Sequence, residues 1–187
     1  SSKALFEQAL EDMRALGIEV KQVSIPTIAN ALPAYYVLVP SEISSNLSRY
    51  DGIRYGHSSE HANSLQGVYD QSRDEGFGDE VKRRILTGTY ALSAGYYDAY
   101  YKKAMQVRTQ LRKDFEKAMD GVAALVGPTT PTPAFKFGAN EDPVQMYLAD
   151  IMTVAANLVG VPAVSVPMGF VDGLPVGLQI MAPQGKD

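Results

Sequence analysis

Residues 147–158 (YLADIMTVAANL) are apolar on all but one stripe, and this run constrains the fold more than any other. Beyond Tyr147, its strong hydrogen-bonding side chains are Asp150, Thr153 and Asn157. They stand at i, i+3 and i+7, which places them on one face of a helix. A helix apolar on its other faces is expected inside a protein core. A carboxylate carried there is costly unless something positive meets it. Asp150 is therefore expected to face a cation. An internal arginine is one reading, and the ammonium group of a ligand is the other.

The chain has 187 residues, 45% hydrophobic and 20% charged, enough for a domain with a real core. A net charge of −4 and a pI near 5.2 give no global pull toward nucleic acid or acidic membranes. The absence of cysteine excludes disulfides and thiolate chemistry and fits a reducing cytosol. No apolar run approaches the roughly 20 residues of a membrane span, and no signal peptide is visible. The start at Ser1-Ser-Lys and the stop just after an apolar, strand-like run suggest a segment cut at both ends.

Along the chain, residues 3–16 repeat apolar side chains at helical spacing, and Gly17 stops them. Residues 18–25 alternate like a half-buried strand that ends at Pro26. Residues 27–47 read as partly helical, with Pro33 and Pro40 at early-turn or kink positions. A polar loop over 51–60 precedes a short helix over 65–72, closed by Glu75-Gly-Phe-Gly78. Residues 79–119 read as a long helical region with a bend or break at Gly95. A buried strand over 122–126 leads into the proline-rich 127–134 and a loop over 135–142. Two strands, 163–166 and 176–181, flank a turn at Asp172-Gly-Leu-Pro175. Mixed helices and buried strands imply an α/β architecture.

Within Lys82-Arg83-Arg84, two residues are expected on a solvated face. Arg84 is followed at i+4, i+7 and i+11 by Gly88, Ala91 and Gly95, a small-residue stripe that lets a second backbone or a ligand approach. Helix packing accounts for the stripe but not for the arginine at its head. Arginine grips carboxylates with a planar fork. Arg84 and Asp150 could together hold a zwitterion, or could equally pair with each other. Tyr96, Tyr97, Tyr100 and Tyr101 form two i,i+4 pairs, read as core or a protein interface ahead of base stacking. His57 and His61 lack a third metal ligand in the sequence pattern. No phosphate-binding GxxxxGK[ST], no nucleophile-elbow GxSxG and no other catalytic nucleophile is identifiable.

Four stretches together resemble one family: 44–56 (SSNLSRYDGIRYG), 75–104 (EGFGDEVKRRILTGTYALSAGYYDAYYKKA), 126–134 (VGPTTPTPA) and 146–169 (MYLADIMTVAANLVGVPAVSVPMG), the last running on into GLPVGLQIMAP. They are similar to the C-terminal part of the A subunits of glutamyl-tRNA(Gln) amidotransferases, within the amidase signature family. The resemblance implies the C-terminal part of an α/β/α fold with a mixed central sheet. It implies a cytoplasmic parent enzyme that hydrolyses glutamine, whose ammonia converts Glu-tRNA(Gln) to Gln-tRNA(Gln) with ATP and magnesium used in the complex. Partner subunits B and C are implied, with the tRNA held mainly by the partner. The family's lysine, cis-peptide serine and nucleophilic serine lie in a Gly/Ser-rich region that nothing here matches, so this segment alone is expected to be inactive. The residues matching the family's glutamine-holding arginine and aspartate are Arg84 and Asp150. The alternatives are a fragment of another amidase-signature hydrolase, or a non-catalytic subunit-interaction module.

Overall fold

The computed structural model describes residues 1–139 and 143–186. They gather into two compact units, Ser1–Leu32 with Val107–Asp187, and Pro33–Gln106.

The first unit opens with helix α1 (Ser2–Ala15), ended by Gly17 at φ +82°. Residues 18–25 do not form a strand. Their alternation defines a face that could be buried, but strand structure also needs a hydrogen-bonded neighbour. Here Ile18 and Val23 stay exposed. A 3-10 turn, Pro26–Asn30, follows. Strand β1 (Leu125–Pro128) begins three residues later than the apolar pattern suggested, after a turn at 119–121 and the irregular residues 122–124. Strands β2 (Ala163–Val171) and β3 (Leu174–Met181) are longer than their apolar runs. They are joined by Asp172 and Gly173, both at positive φ (51° and 76°), the two-residue loop that follows the twist of a hairpin. Pro175, expected in the turn, lies in β3 opposite Phe170.

The sheet order is β1-β3-β2, with both pairings antiparallel; no parallel pairing occurs among the described residues. Helix α1 lies against β1 and β2. Its Leu5 rests on Gly169, where a Cβ would come within 3.0 Å of a Leu5 methyl. Leu111 and Phe115 of a later helix, α5 (Lys103–Ala118), are fully buried, and Val176 and Leu178 of β3 are buried.

The apolar run 147–158 is not one buried helix. It is divided between α6 (Pro143–Leu148) and α7 (Val154–Val159), with turns between them. Bonds from Asp150 N to Tyr147 O, Ile151 N to Leu148 O and Thr153 N to Asp150 O tighten the backbone to an i+3 pattern. The Thr153 hydroxyl also donates to the Asp150 carbonyl (3.1 Å), the local competition that makes threonine a poor mid-helix residue. Burial is confined to α7, while Leu148, Ile151 and Met152 remain exposed. Of the loop expected over 135–142, residues 140–142 lie outside the described residues.

The second unit holds most of α2 (Ala31–Leu47), α3 (Leu65–Gly76) and α4 (Asp79–Leu92). Pro33 sits in the first turn of α2, where its missing N–H costs nothing, and Pro40 lies inside the helix. Ser64 caps α3, its hydroxyl accepting from Gly67 N at 3.0 Å. The long helical region breaks where expected. Gly95 takes φ +88° after α4, a π-helical turn spans Asp98–Lys102, and α5 (Lys103–Ala118) follows. No helix among the described residues is long and apolar enough to cross a membrane.

Packing and charge each generate a test. A Cβ at Gly88 would lie 1.9 Å from the Pro40 carbonyl oxygen, a backbone atom that cannot swing away. Gly88→Ala is expected to destabilise the protein by about 1–3 kcal/mol in thermal or denaturant unfolding. Asp114 on α5 accepts from the Thr27 hydroxyl (2.6 Å), Thr27 N (3.1 Å) and Gln110 (2.9 Å). The Thr27 hydroxyl bond, with Gln110 next, holds its pKa below the ordinary 3.8. A depressed carboxylate stabilises the fold above its unfolded pKa and stops doing so as pH falls through the lower, folded value. Stability measured from pH 6 downward should therefore fall more steeply below about pH 4 in the wild type than in Asp114→Asn.

Candidate functional site

Arg84 lies on α4 one turn after Glu80 and one turn before Gly88. Its Nε donates to Glu80 Oε1 at 2.9 Å. Its guanidinium carbon sits 5.7 Å from the centre of the Tyr36 ring, a cation–π arrangement. Its side chain is only 25% exposed. That burial works against the charge. The Glu80 hydrogen bond and charge, aided by Tyr36 and Tyr35, outweigh it and raise the pKa above its usual value. The guanidinium is thus held charged, braced by Glu80, which also binds Arg83.

The stripe that follows Arg84 is a helix-packing surface. Gly88 and Ala91 are buried, and Gly88 meets the α2 backbone at Pro40 and Ser41. Ser44 of α2 and Thr89 of α4 share a hydrogen bond at 2.8 Å. Gly95 serves the chain turn instead of the packing.

Asp150 belongs to the other unit, in the turn between α6 and α7, and is exposed. The cost of burying its charge, expected from a core helix, does not arise. The stripe it forms with Thr153 and Asn157 is used locally: Thr153 donates to the Asp150 carbonyl, and Asn157 Nδ2 to the Thr153 carbonyl (3.1 Å). Gln179 Nε2 on β3 donates to the carbonyl of Met152 at 2.9 Å. Arg108 Nε on α5 donates to the Leu158 carbonyl at 2.7 Å. Neither contact is marked by a motif. The signal for Gln179 is a lone amide inside the apolar strand Leu178-Gln-Ile-Met181.

Beside this turn, a concavity of about 300 Å³ is lined by Thr129, Phe135, Ala149, Ser165 and Gly177, among others. Thr129 and Ser165 hydroxyls bond at 2.7 Å. They meet across Gly177, where a Cβ would come within 2.3 Å of the Ser165 hydroxyl. A larger groove of about 510 Å³ in the second unit runs between Leu47, Arg73, Phe77 and Leu86, and Arg84 does not line it.

The other motifs have structural partners. His57 Nε2 and Glu75 lie 2.5 Å apart, and Ser59 donates to Glu75 at 2.7 Å. The His57 bond, then the Ser59 bond, lowers the Glu75 pKa. Among the described residues, no three His, Cys, Asp or Glu gather into a cluster able to hold a metal ion. The tyrosines pack on one another, with Tyr97 stacked on Tyr101 (5.2 Å) and Tyr96 against Tyr90 (4.3 Å). The Tyr96 hydrogen bond pushes the Tyr90 phenol up to about 12. Tyr96, Tyr97 and Tyr100 nevertheless stay 41–45% exposed.

Comparison with known proteins covers the chain end to end. The amidase family profile matches residues 1–187. The glutamyl-tRNA(Gln) amidotransferase A subunit of Pseudomonas putida (strain W619) is 54% identical over 180 residues, which cover 96% of this chain and 37% of that protein. The crystal structure of the glutamyl-tRNA(Gln) amidotransferase A subunit from Thermotoga maritima superposes with a TM-score of 0.71 at 40% identity, over 99% of this chain and 36% of that one. A solved amidase gives a TM-score of 0.74 at 28% identity, over 99% and 38%. The chain thus spans well under half the length of the relatives it matches, and its mixed helices and sheet follow the α/β architecture of amidase signature enzymes. On the profile match over its whole length and on these relatives, the chain belongs to the amidase family.

Proposed function

We propose that this segment is the substrate-positioning, C-terminal part of a glutamine-hydrolysing amidotransferase A subunit that works in the cytoplasm with B and C subunits. The observation that carries the reading is the 54% identity, along 96% of the chain, to a protein named as that subunit. The parent's catalytic serine, cis-peptide serine and lysine would lie outside this segment. The ammonia released would be used on Glu-tRNA(Gln), with ATP and magnesium handled mainly by the partner subunit. No residue of this chain is assigned to ATP or magnesium.

Arg84 receives the α-carboxylate of glutamine and Asp150 its α-ammonium. The raised pKa of Arg84 supports a guanidinium that stays charged, and Glu80 on its Nε fixes the plane of the fork. Holding both ends of the zwitterion aims the side-chain amide at the parent's nucleophile, so the contribution is one of orientation. The exposed tyrosine cluster supports a partner-facing surface on the same polypeptide.

Two outcomes are expected. The isolated chain should release no ammonia from glutamine, and turnover that co-purifies with it would overturn the reading. In the full-length protein, assembled with its partners, each charge-assisted bond is worth about 1.5–3 kcal/mol. Arg84→Ala and Asp150→Ala should each weaken glutamine use by roughly ten- to a hundredfold. Ammonia-dependent transamidation, which needs no zwitterion clamp, should survive both changes. Unchanged glutamine kinetics would remove the clamp, and joint loss of both activities would make the residues structural.

A further inference from the structure

The turn that carries Asp150 is tied to the central strand by one buried amide. Gln179 is 5% exposed, in the middle of β3, paired with Gly127 on one side and Ser165 on the other. By strand alternation its side chain shares a sheet face with Gly177, the residue over which Thr129 and Ser165 join hydroxyls. From that face Nε2 reaches the Met152 carbonyl, two residues beyond Asp150. At the far end of α7, Arg108 takes the Leu158 carbonyl. Between these anchors α7 buries Val154, Ala155, Ala156, Leu158 and Val159. Just before the Met152 anchor, Asp150 and Ile151 are exposed, and half-buried Ala149 lines the adjoining concavity.

We propose that Gln179 is a positioning residue that sets where Asp150 presents its carboxylate; this rests on the reading of Asp150 as a substrate ligand. The geometry carries it. A primary amide inside an apolar strand is costly to bury without a partner, and its donor is directed at the backbone of this turn. The turn's own i+3 bonds shape its backbone locally, and its apolar side chains Ile151 and Met152 are exposed. The Gln179 hydrogen bond ties that local shape to the centre of the sheet. Gln179 touches no reacting group; it acts through the backbone that holds Asp150.

The test uses the full-length protein in its complex with the partner subunits. Gln179→Met keeps the length and apolar stem of the side chain and removes the donor. It should raise the KM for glutamine by about ten- to a hundredfold, with a smaller change in kcat and ammonia-dependent transamidation retained. The deciding readout is a double-mutant cycle with Asp150→Ala. If Gln179 acts through Asp150, adding Gln179→Met to Asp150→Ala should raise the KM little further. Full multiplication of the two effects would overturn the proposal, as would an unchanged KM in Gln179→Met. Loss of ammonia-dependent activity in Gln179→Met would also overturn it, by making Gln179 a folding residue. Asp150→Ala alone separates the two levels: if it leaves glutamine kinetics unchanged, the ligand reading fails first. If it raises the KM while Gln179→Met does not, the ligand reading stands and the positioning role falls.

Discussion

Strand β3 is the element on which the first unit depends, because both other strands take their register from it. β1 and β2 bond to opposite edges, and residues 178–181 of β3 are paired on both sides. A slip of one residue would exchange the two faces of this strand. Val176 and Leu178 would leave the core, and Gly177 would no longer lie under the hydroxyls of Thr129 and Ser165. Gln179 would turn away from Met152. The Cβ-free position at Gly177 is therefore more than a packing convenience. It lets the two outer strands be cross-linked over the central one, on the face that meets the Asp150 turn.

In the second unit the corresponding constraint is the backbone approach of Gly88 to Pro40. One turn earlier on each helix, Arg84 faces Tyr36. Moving one turn along α2 thus moves the contact one turn along α4. The phase of α4 is set by the one position where nothing larger than hydrogen fits. That phase carries Arg84 to the Tyr36 ring and leaves Glu80 in place to hold its Nε.

How much of this is legible in the sequence differs with the kind of signal. Glycine and proline speak clearly: Gly17, Gly95 and Asp172-Gly173 end or turn the chain where φ must be positive, and Pro33 falls in a first helical turn. The small-residue stripe after Arg84 is legible as helix packing, and Gly88 fulfils it. Periodicity is weaker evidence. Residues 18–25 alternate without acquiring a strand partner, since pairing is not a local property. The run 147–158 has the composition of a core helix, yet its centre tightens into turns that Thr153 helps to form. Gln179 shows in the sequence only as a single amide in an apolar strand, which marks a buried polar group but not its partner. Its meaning lies in a carbonyl 27 residues away.

The exposure of Asp150 changes what a charge there can do. A carboxylate in water gains little from meeting an ammonium, because solvent screens the pair and ordering the groups costs entropy. Burial of an unpaired charge would have made Asp150 demand a partner; exposure makes recognition depend on who excludes the water. On the proposed reading, that task falls to the bound glutamine and to chain beyond this segment, which the longer relatives possess. What this segment can contribute before substrate arrives is direction. Arg84 is braced by Glu80 and Tyr36, and the Asp150 turn is anchored through Met152 and Leu158. Each group is thus preorganised within its own unit, and on the proposed reading that lowers the ordering cost each would bring to binding.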